Sequence, residues 1–321
     1  MQQSAERVAE GDATPGRSRS PSYLSVVAGV CWALVTVAIW GAWPAFTRLS
    51  VIDALTPHDL VALRYAVGGL ILLPILIKQA DRVPRRGWRE GLVLAVCQGA
   101  PLALLVTIGV QYAPASHMGA LSPGVLPLFA ALLGFVFFNE RLSPPRIAGL
   151  ALILAGALVI TGFSLSTFSS GVWRGDLLFV CAGFMGSIYA VRMRRSGLSA
   201  MQGAALIGVY SMVFYLPIYC LFWLGSSGLS MASTHEVVFQ ALYQGVLMGA
   251  VALFSLSRAI VILGAPRAGA FLSLVPVLAT LLGAIVLREH PSISEAIAVA
   301  IISLGVLLAA GASRQPPLPR E

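Results

Sequence analysis

Only 11% of the 321 residues are charged and 58% are hydrophobic, whereas soluble domains carry roughly 25% charged residues. A soluble fold with an apolar core is thereby excluded. The net charge of +8 would suit a nucleic-acid partner, but the arginines sit between apolar runs, as in cytoplasmic loops of membrane proteins, and no nucleic acid is expected.

Residues 1–22 are polar, with Arg7, Pro15, Arg17, Arg19 and Pro21, and are expected to form a disordered cytoplasmic tail. Ten apolar runs follow: Tyr23–Thr47, Asp59–Ile77, Arg89–Gln111, Ala115–Phe138, Pro144–Phe163, Gly175–Val191, Ser199–Leu224, Val237–Leu263, Ala268–Leu287 and Ile293–Ala312. About 20 such residues cross roughly 30 Å of hydrocarbon. The runs are continuous rather than alternating, which selects helices over a closed barrel. The expected fold is an all-α polytopic protein with ten transmembrane helices in a lipid bilayer. A short cytoplasmic tail, 313–321, ends the chain.

A cytoplasmic N-terminus puts seventeen of the 21 lysines and arginines on that side, leaving Arg48, Arg64, Arg174 and Arg288 on or near the other. That bias favours ten spans with both termini inside.

The chain also repeats itself. Shifted by 149 positions, Pro127 meets Pro276, Gly134 meets Gly283, Glu140 meets Glu289, Ser143 meets Ser292 and Gly156 meets Gly305. Fainter matches pair Trp40-Gly41…Arg48 with Gly186-Ser187…Arg194, and Cys97-Gln98-Gly99 with Tyr243-Gln244-Gly245. Two units are expected, 23–163 and 175–312. Five spans per unit is an odd number, so the second unit enters from the opposite side and the pair forms an inverted repeat.

Trp40-Gly41, Leu63-Arg64-Tyr65, Pro127-Leu128-Phe129…Gly134, and Asn139-Glu140-Arg141-Leu142-Ser143 leading into Gly149, with Arg288-Glu289-His290 in the second copy, resemble the EamA-type branch of the drug/metabolite transporter superfamily. The resemblance covers roughly Tyr23 to Ala312. It implies a ten-helix carrier in a bacterial inner membrane, with a substrate cavity between the halves and the fifth and tenth helices peripheral. The implied cargo is a small metabolite, often an amino acid leaving the cell. The sequence Arg288-Glu289-His290-Pro291 departs from the family pattern, which places an arginine and a leucine after the glutamate.

Ionisable side chains within a span are costly and mark function by default. Arg64 is the clearest, about five residues into its span and roughly 7 Å deep at 1.5 Å per residue. It either attracts an anionic or zwitterionic cargo, or locks a gate, or stretches its head to the outer interface. The other cavity candidates are Trp40, Trp43, Tyr65, Gln98, Ser122, Ser187, Tyr189, Tyr210, Gln244 and Ser273, with Trp43 also placed to serve an interfacial belt. Pro127 and Pro276 are the hinge candidates, because a proline frees a backbone carbonyl that must find a partner or a wet cavity. Glu140 and Glu289 are either gate latches pairing with Arg141, Arg146 or Arg288, or plain hairpin residues, with Ser292 and Glu295 forming a capping box.

No Asp or Glu falls in the middle of a span; Asp53, Asp59, Asp176, Glu236 and Glu295 lie at span ends. Organic cations are therefore not expected as cargo, and coupling is not expected to use a buried carboxylate. The four histidines fall at outer ends in no metal-binding spacing. The four cysteines, all inside apolar runs, read as buried thiols. No metal or cofactor is expected, and homodimerisation is left open. An intramembrane enzyme is disfavoured, since no histidine lies within a span to activate a nucleophile and no phosphate loop, HExxH helix or dinucleotide fingerprint occurs. A channel would more often show several subunits about a pore axis.

Overall fold

A computed structural model describes residues 23–139, 142–162 and 169–311. Among these residues ten helices are long and apolar enough to cross a membrane: α1 (Leu24–Asp53), α2 (Pro57–Arg82), α3 (Arg85–Gly109), α4 (Ala115–Phe137), α5 (Pro144–Thr161), α6 (Val172–Arg195), α7 (Ala200–Phe222), α8 (Thr234–Leu263), α9 (Arg267–Val286) and α10 (Ile293–Gly311). Each overlaps one expected run. The protein is a multi-pass, all-α membrane protein.

Helix starts are written locally. At α2 the Thr56 hydroxyl accepts from the Asp59 N–H while the Asp59 carboxylate accepts from the Thr56 N–H, and Ser199 with Gln202 does the same at α7. Ser292 and Glu295 form the expected box at α10. Each box satisfies two N–H groups that a helix start leaves orphaned. Large apolar side chains such as Leu70, Leu221, Val261 and Ile285 point outward, as they do where the solvent is lipid.

The connections α1–α2, α3–α4, α7–α8 and α9–α10 lie at one end of the bundle, here called the far end. The described chain starts and stops at the other, the terminal end. α1 packs on α8 and α9, and α6 packs on α3 and α4; α2 meets α7 and α8, and α7 meets α2 and α3. Exchanging each of the first five helices for its counterpart in the second five leaves this neighbour pattern unchanged. α5 and α10 pair with each other. A Cβ on Gly149 or on Gly305 would stand 2.7 Å from the other glycine's carbonyl oxygen, so only glycine at both positions lets these backbones touch.

Four helices are interrupted. α3 breaks at Gly99, α4 between its segments Ala115–Leu121 and Leu126–Phe138, and α9 between Ala265–Phe271 and Leu274–Val286. α8 loosens into a π-helix over Ala241–Val251. A Cβ on Gly99 would collide with the Ala95 carbonyl and the Ser211 hydroxyl. The Ala100 N–H released there donates to Ser211 Oγ at 3.2 Å. Broken or widened turns of this kind recur where membrane carriers bind their cargo.

The cysteines are not all the buried thiols expected. Cys97 is buried, but Cys31, Cys181 and Cys220 are exposed on the bundle's outer surface. An apolar run locates a thiol within a span without saying which face of the helix it occupies.

Candidate functional site

The broken helices surround a central cavity of about 260 Å³ lined by α1, α2, α3, α4, α6, α7, α8 and α9. Trp40, Trp43, Arg64, Tyr65, Gln98, Ser122 and Tyr189 all line it. The remaining wall is apolar or glycine, including Leu72, Leu102, Met118, Gly186, Gly208 and Leu253.

Arg64 is 9% exposed. It does not reach for an interface. Its Nε donates to Gln244 Oε1 at 3.0 Å, and a second guanidinium N–H goes to the same oxygen. Its charge centre stands 4.5 Å from the Trp43 ring centroid, a cation–π contact. Trp43 therefore faces the cavity, not the lipid belt. Behind it, Gln244 donates to Thr47 Oγ1 at 3.1 Å and to Gln240 Oε1 at 3.2 Å, and Gln240 donates to Ser50 Oγ at 2.8 Å and to the Phe46 carbonyl. The π-helix of α8 thus ties Arg64 to α1. Neutral amides and a ring face orient the cation without cancelling its charge. A buried charge left uncompensated is costly and attracts a counter-charge. No carboxylate lines the cavity.

Two lining groups carry unused polar atoms. Gln98 Oε1 and Trp43 Nε1 are buried without a hydrogen-bond partner. The polar groups of the wall are the Arg64 guanidinium, the indoles of Trp40 and Trp43, the Gln98 amide and the hydroxyls of Tyr65, Ser122 and Tyr189.

Gln244 stands one layer behind the cavity as the brace of Arg64. Ser187 and Ser273 bond back to their own helices, at Phe184 and Ala270. Tyr210 donates to the Trp88 carbonyl at 3.3 Å, bracing α7 to α3. Pro127 and Pro276 line a second cavity of about 220 Å³ with Arg146 and Gly269, between the terminal-end halves of α4 and α9. Nearer the far end the two helices close up: a Cβ on Gly119 would stand 2.5 Å from that of Ala279.

Glu140 and Arg141 lie outside the described residues. Glu289 pairs with Arg48, Nε to Oε1 at 2.8 Å, and not with the expected Arg146 or Arg288, and it accepts from the Ala115 N–H at 3.2 Å. Arg48 also donates to the carbonyls of Val110 and Ala113. Burial pushes the Glu289 carboxyl above the usual carboxylate range, with Arg48 and the Ala115 N–H opposing. Close by, His117 Nδ1 meets Asp176 Oδ1 at 2.7 Å and His117 Nε2 lies 3.6 Å from Glu295 Oε1. On the α2–α7 side, Asp59 accepts from Ser227 Oγ at 2.7 Å, from the Gly228 N–H at 2.9 Å and from Tyr219 Oη. Asp59 and Asp176 are buried. Both lie at the span ends where the sequence places them, and tertiary packing buries them there. The one sequence signal for Arg48 is its repeat counterpart, Arg194.

A ten-helix membrane bundle with a polar-tipped central cavity defines a membrane transport protein. The EamA-like transporter family model matches residues 27–162 and again 173–311, and the chain belongs to that family. It is 27% identical over 288 residues to a protein of Streptantibioticus cattleyicolor named "probable terminal-alkyne amino-acid exporter", covering 86% of this chain and 92% of the relative. A Brucella anthropi protein named "riboflavin transporter" is 26% identical over 204 residues, covering 63% and 67% of the two chains. The uncharacterized transporter YetK of Bacillus subtilis is 21% identical over 261 residues, covering 79% and 78%. A solved crystal structure shares the fold with a TM-score of 0.60 at 22% identity, covering 90% of this chain and 98% of its own.

Proposed function

We propose that the protein exports a small carboxylate-bearing metabolite, an amino acid or a related neutral, zwitterionic or anionic compound, across a bacterial inner membrane by alternating access. The observation that carries this reading is Arg64: a buried, uncompensated guanidinium in the wall of a cavity with no acid of its own. A carboxylate docks on such a fork with charge-assisted hydrogen bonds. In a zwitterion the ammonium finds the free Gln98 carbonyl, and Trp40, Tyr65 and Tyr189 receive an apolar body. At about 260 Å³ the cavity is below the roughly 300–1,000 Å³ of drug-sized ligand sites, which favours cargo smaller than a flavin. The relative named as an amino-acid exporter is in keeping with this.

The seventeen-to-four basic bias puts the terminal end in the cytoplasm. The far-end contacts and the second cavity between the terminal-end halves of α4 and α9 then support an inward-facing carrier, ready to load. The twofold family match, with five spans per copy, supports an inverted repeat whose second state opens the far end.

Counterflow in proteoliposomes tests the reading. Vesicles preloaded with unlabelled apolar amino acids are expected to accumulate the labelled compound transiently. Arg64→Gln should reduce uptake at least about tenfold, the loss of one charge-assisted contact, with Arg64→Lys retaining part of it. Saturable counterflow unchanged in Arg64→Gln overturns the role of Arg64, and flux without saturation overturns the carrier.

A further inference from the structure

Five charged side chains from five separate segments converge at the far end: Arg48 on α1, His117 on α4, Asp176 on α6, Glu289 in the α9–α10 connection and Glu295 on α10. None is a free surface charge. The side chains of His117 and Asp176 are 6% and 5% exposed, and those of Glu289 and Glu295 are 19% and 25% exposed. Asp176 Oδ2 is buried without a hydrogen-bond partner. The other charges nearby, Asp53, Arg174, Arg288 and His290, are exposed, and Arg174 lies over the rings of Tyr112 and Trp173.

The charges do not cancel. With both ring nitrogens of His117 facing carboxylates, the closed face accommodates an imidazolium, and two cations then oppose three carboxylates. One negative charge is left over in a desolvated site, where it is costly. A single added proton removes the excess. When the far end parts, water enters and solvates each carboxylate, so the open face has less use for that proton.

The partition between halves sharpens the point. Arg48 and its acceptors Val110 and Ala113, together with the Ala115 N–H, all belong to the first five helices. Glu289 is the member that the second half contributes to this pair. The charge state of one carboxyl therefore acts on a contact that must break for the far end to open.

We propose that this far-end cluster is a coupling-proton site: the closed face binds one proton more than the open face, with Glu289 taking it while His117 stays an imidazolium between Asp176 and Glu295. Acid on the far side then closes the outer face and returns the carrier to its loading state; alkali opens it. The raised carboxyl of Glu289 has the same sign, since a group that titrates higher in the closed form stabilises closure below its ordinary range and loses that effect as pH rises through the shifted value. The inference rests on the alternating-access reading above, but its test needs no cargo, so the two fail separately.

The experiment places nitroxides at Ile52→Cys and Ile293→Cys, exposed positions on either side of the Arg48–Glu289 pair, in full-length protein with its native cysteines changed to serine. Spin–spin distances are read in lipid nanodiscs from about pH 5 to 9, a range spanning carboxylate and imidazole titration. The short distance is expected at acid pH, giving way to a longer one as pH rises. Glu289→Gln, which removes the surplus charge, should shift the midpoint to higher pH, and Arg48→Gln, which enlarges the surplus, should shift it to lower pH. A distance independent of pH overturns the proposal. So does one that widens with acid, or a midpoint that neither variant moves.

Discussion

Gln98 and Gln244 occupy the same place in the two copies of the repeat, Gln98 just before the break at Gly99 and Gln244 within the π-helix of α8. Their surroundings have parted. Gln244 is completely buried and fully engaged, accepting from Arg64 and donating to Thr47 and Gln240. Gln98 faces the cavity with its carbonyl unpaired. One copy supplies the brace for the cation and the other supplies an unpaired acceptor in the same cavity wall. On the proposed reading, a duplicated scaffold is divided between holding the site and contacting what enters it.

The most damaging way to break this division is Gln244→Leu. It strips the acceptor from a buried guanidinium and should cost about 1.5–3 kcal/mol of stability, the range for hydrogen bonds to charged groups. The thermal transition of the purified protein should fall and counterflow should vanish. Gln244→Glu sharpens the comparison. An anion in that place would neutralise Arg64, and KM for an anionic or zwitterionic cargo should rise at least about tenfold while the fold survives. Gln98→Leu removes an acceptor that has no protein partner. Thermal stability should be unchanged, and KM for a zwitterion should rise about tenfold, with little change for a cargo lacking the ammonium. The smallest effect is expected from Tyr210→Phe, which loses one neutral hydrogen bond to Trp88 worth about 0.5–1.5 kcal/mol and should leave KM alone.

The ten helices and the doubling were legible in the sequence because both are properties of long segments. Twenty apolar residues need no knowledge of their neighbours to be read as a span, and Pro127 with Pro276 or Gln98 with Gln244 announce themselves by register. The cavity wall was legible in part. Arg64 stands out because a charge in a span is rare, and aromatic residues near it in α1 and α2 fall on its side. The direction of a lone polar side chain was not legible. Ser187 and Ser273 carry a hydroxyl that a helix carbonyl satisfies, and nothing in the residue type separates that from a hydroxyl facing a guest. The far-end cluster was least legible of all. Arg48, His117, Asp176 and Glu289 are scattered over 242 positions, each near a span end where solvation is the ordinary reading. Only packing five helix ends together buries them.

The contact between Gly149 and Gly305 has a consequence for assembly. Backbones that meet without side chains between them leave no play for sliding, so under the proposed alternating access the α5–α10 seam is the fixed post of the bundle. It also joins the two copies without needing the peptide link that connects them. Half-chains severed between residues 162 and 169 keep complementary surfaces along that seam, and made separately in one bilayer they should reunite there.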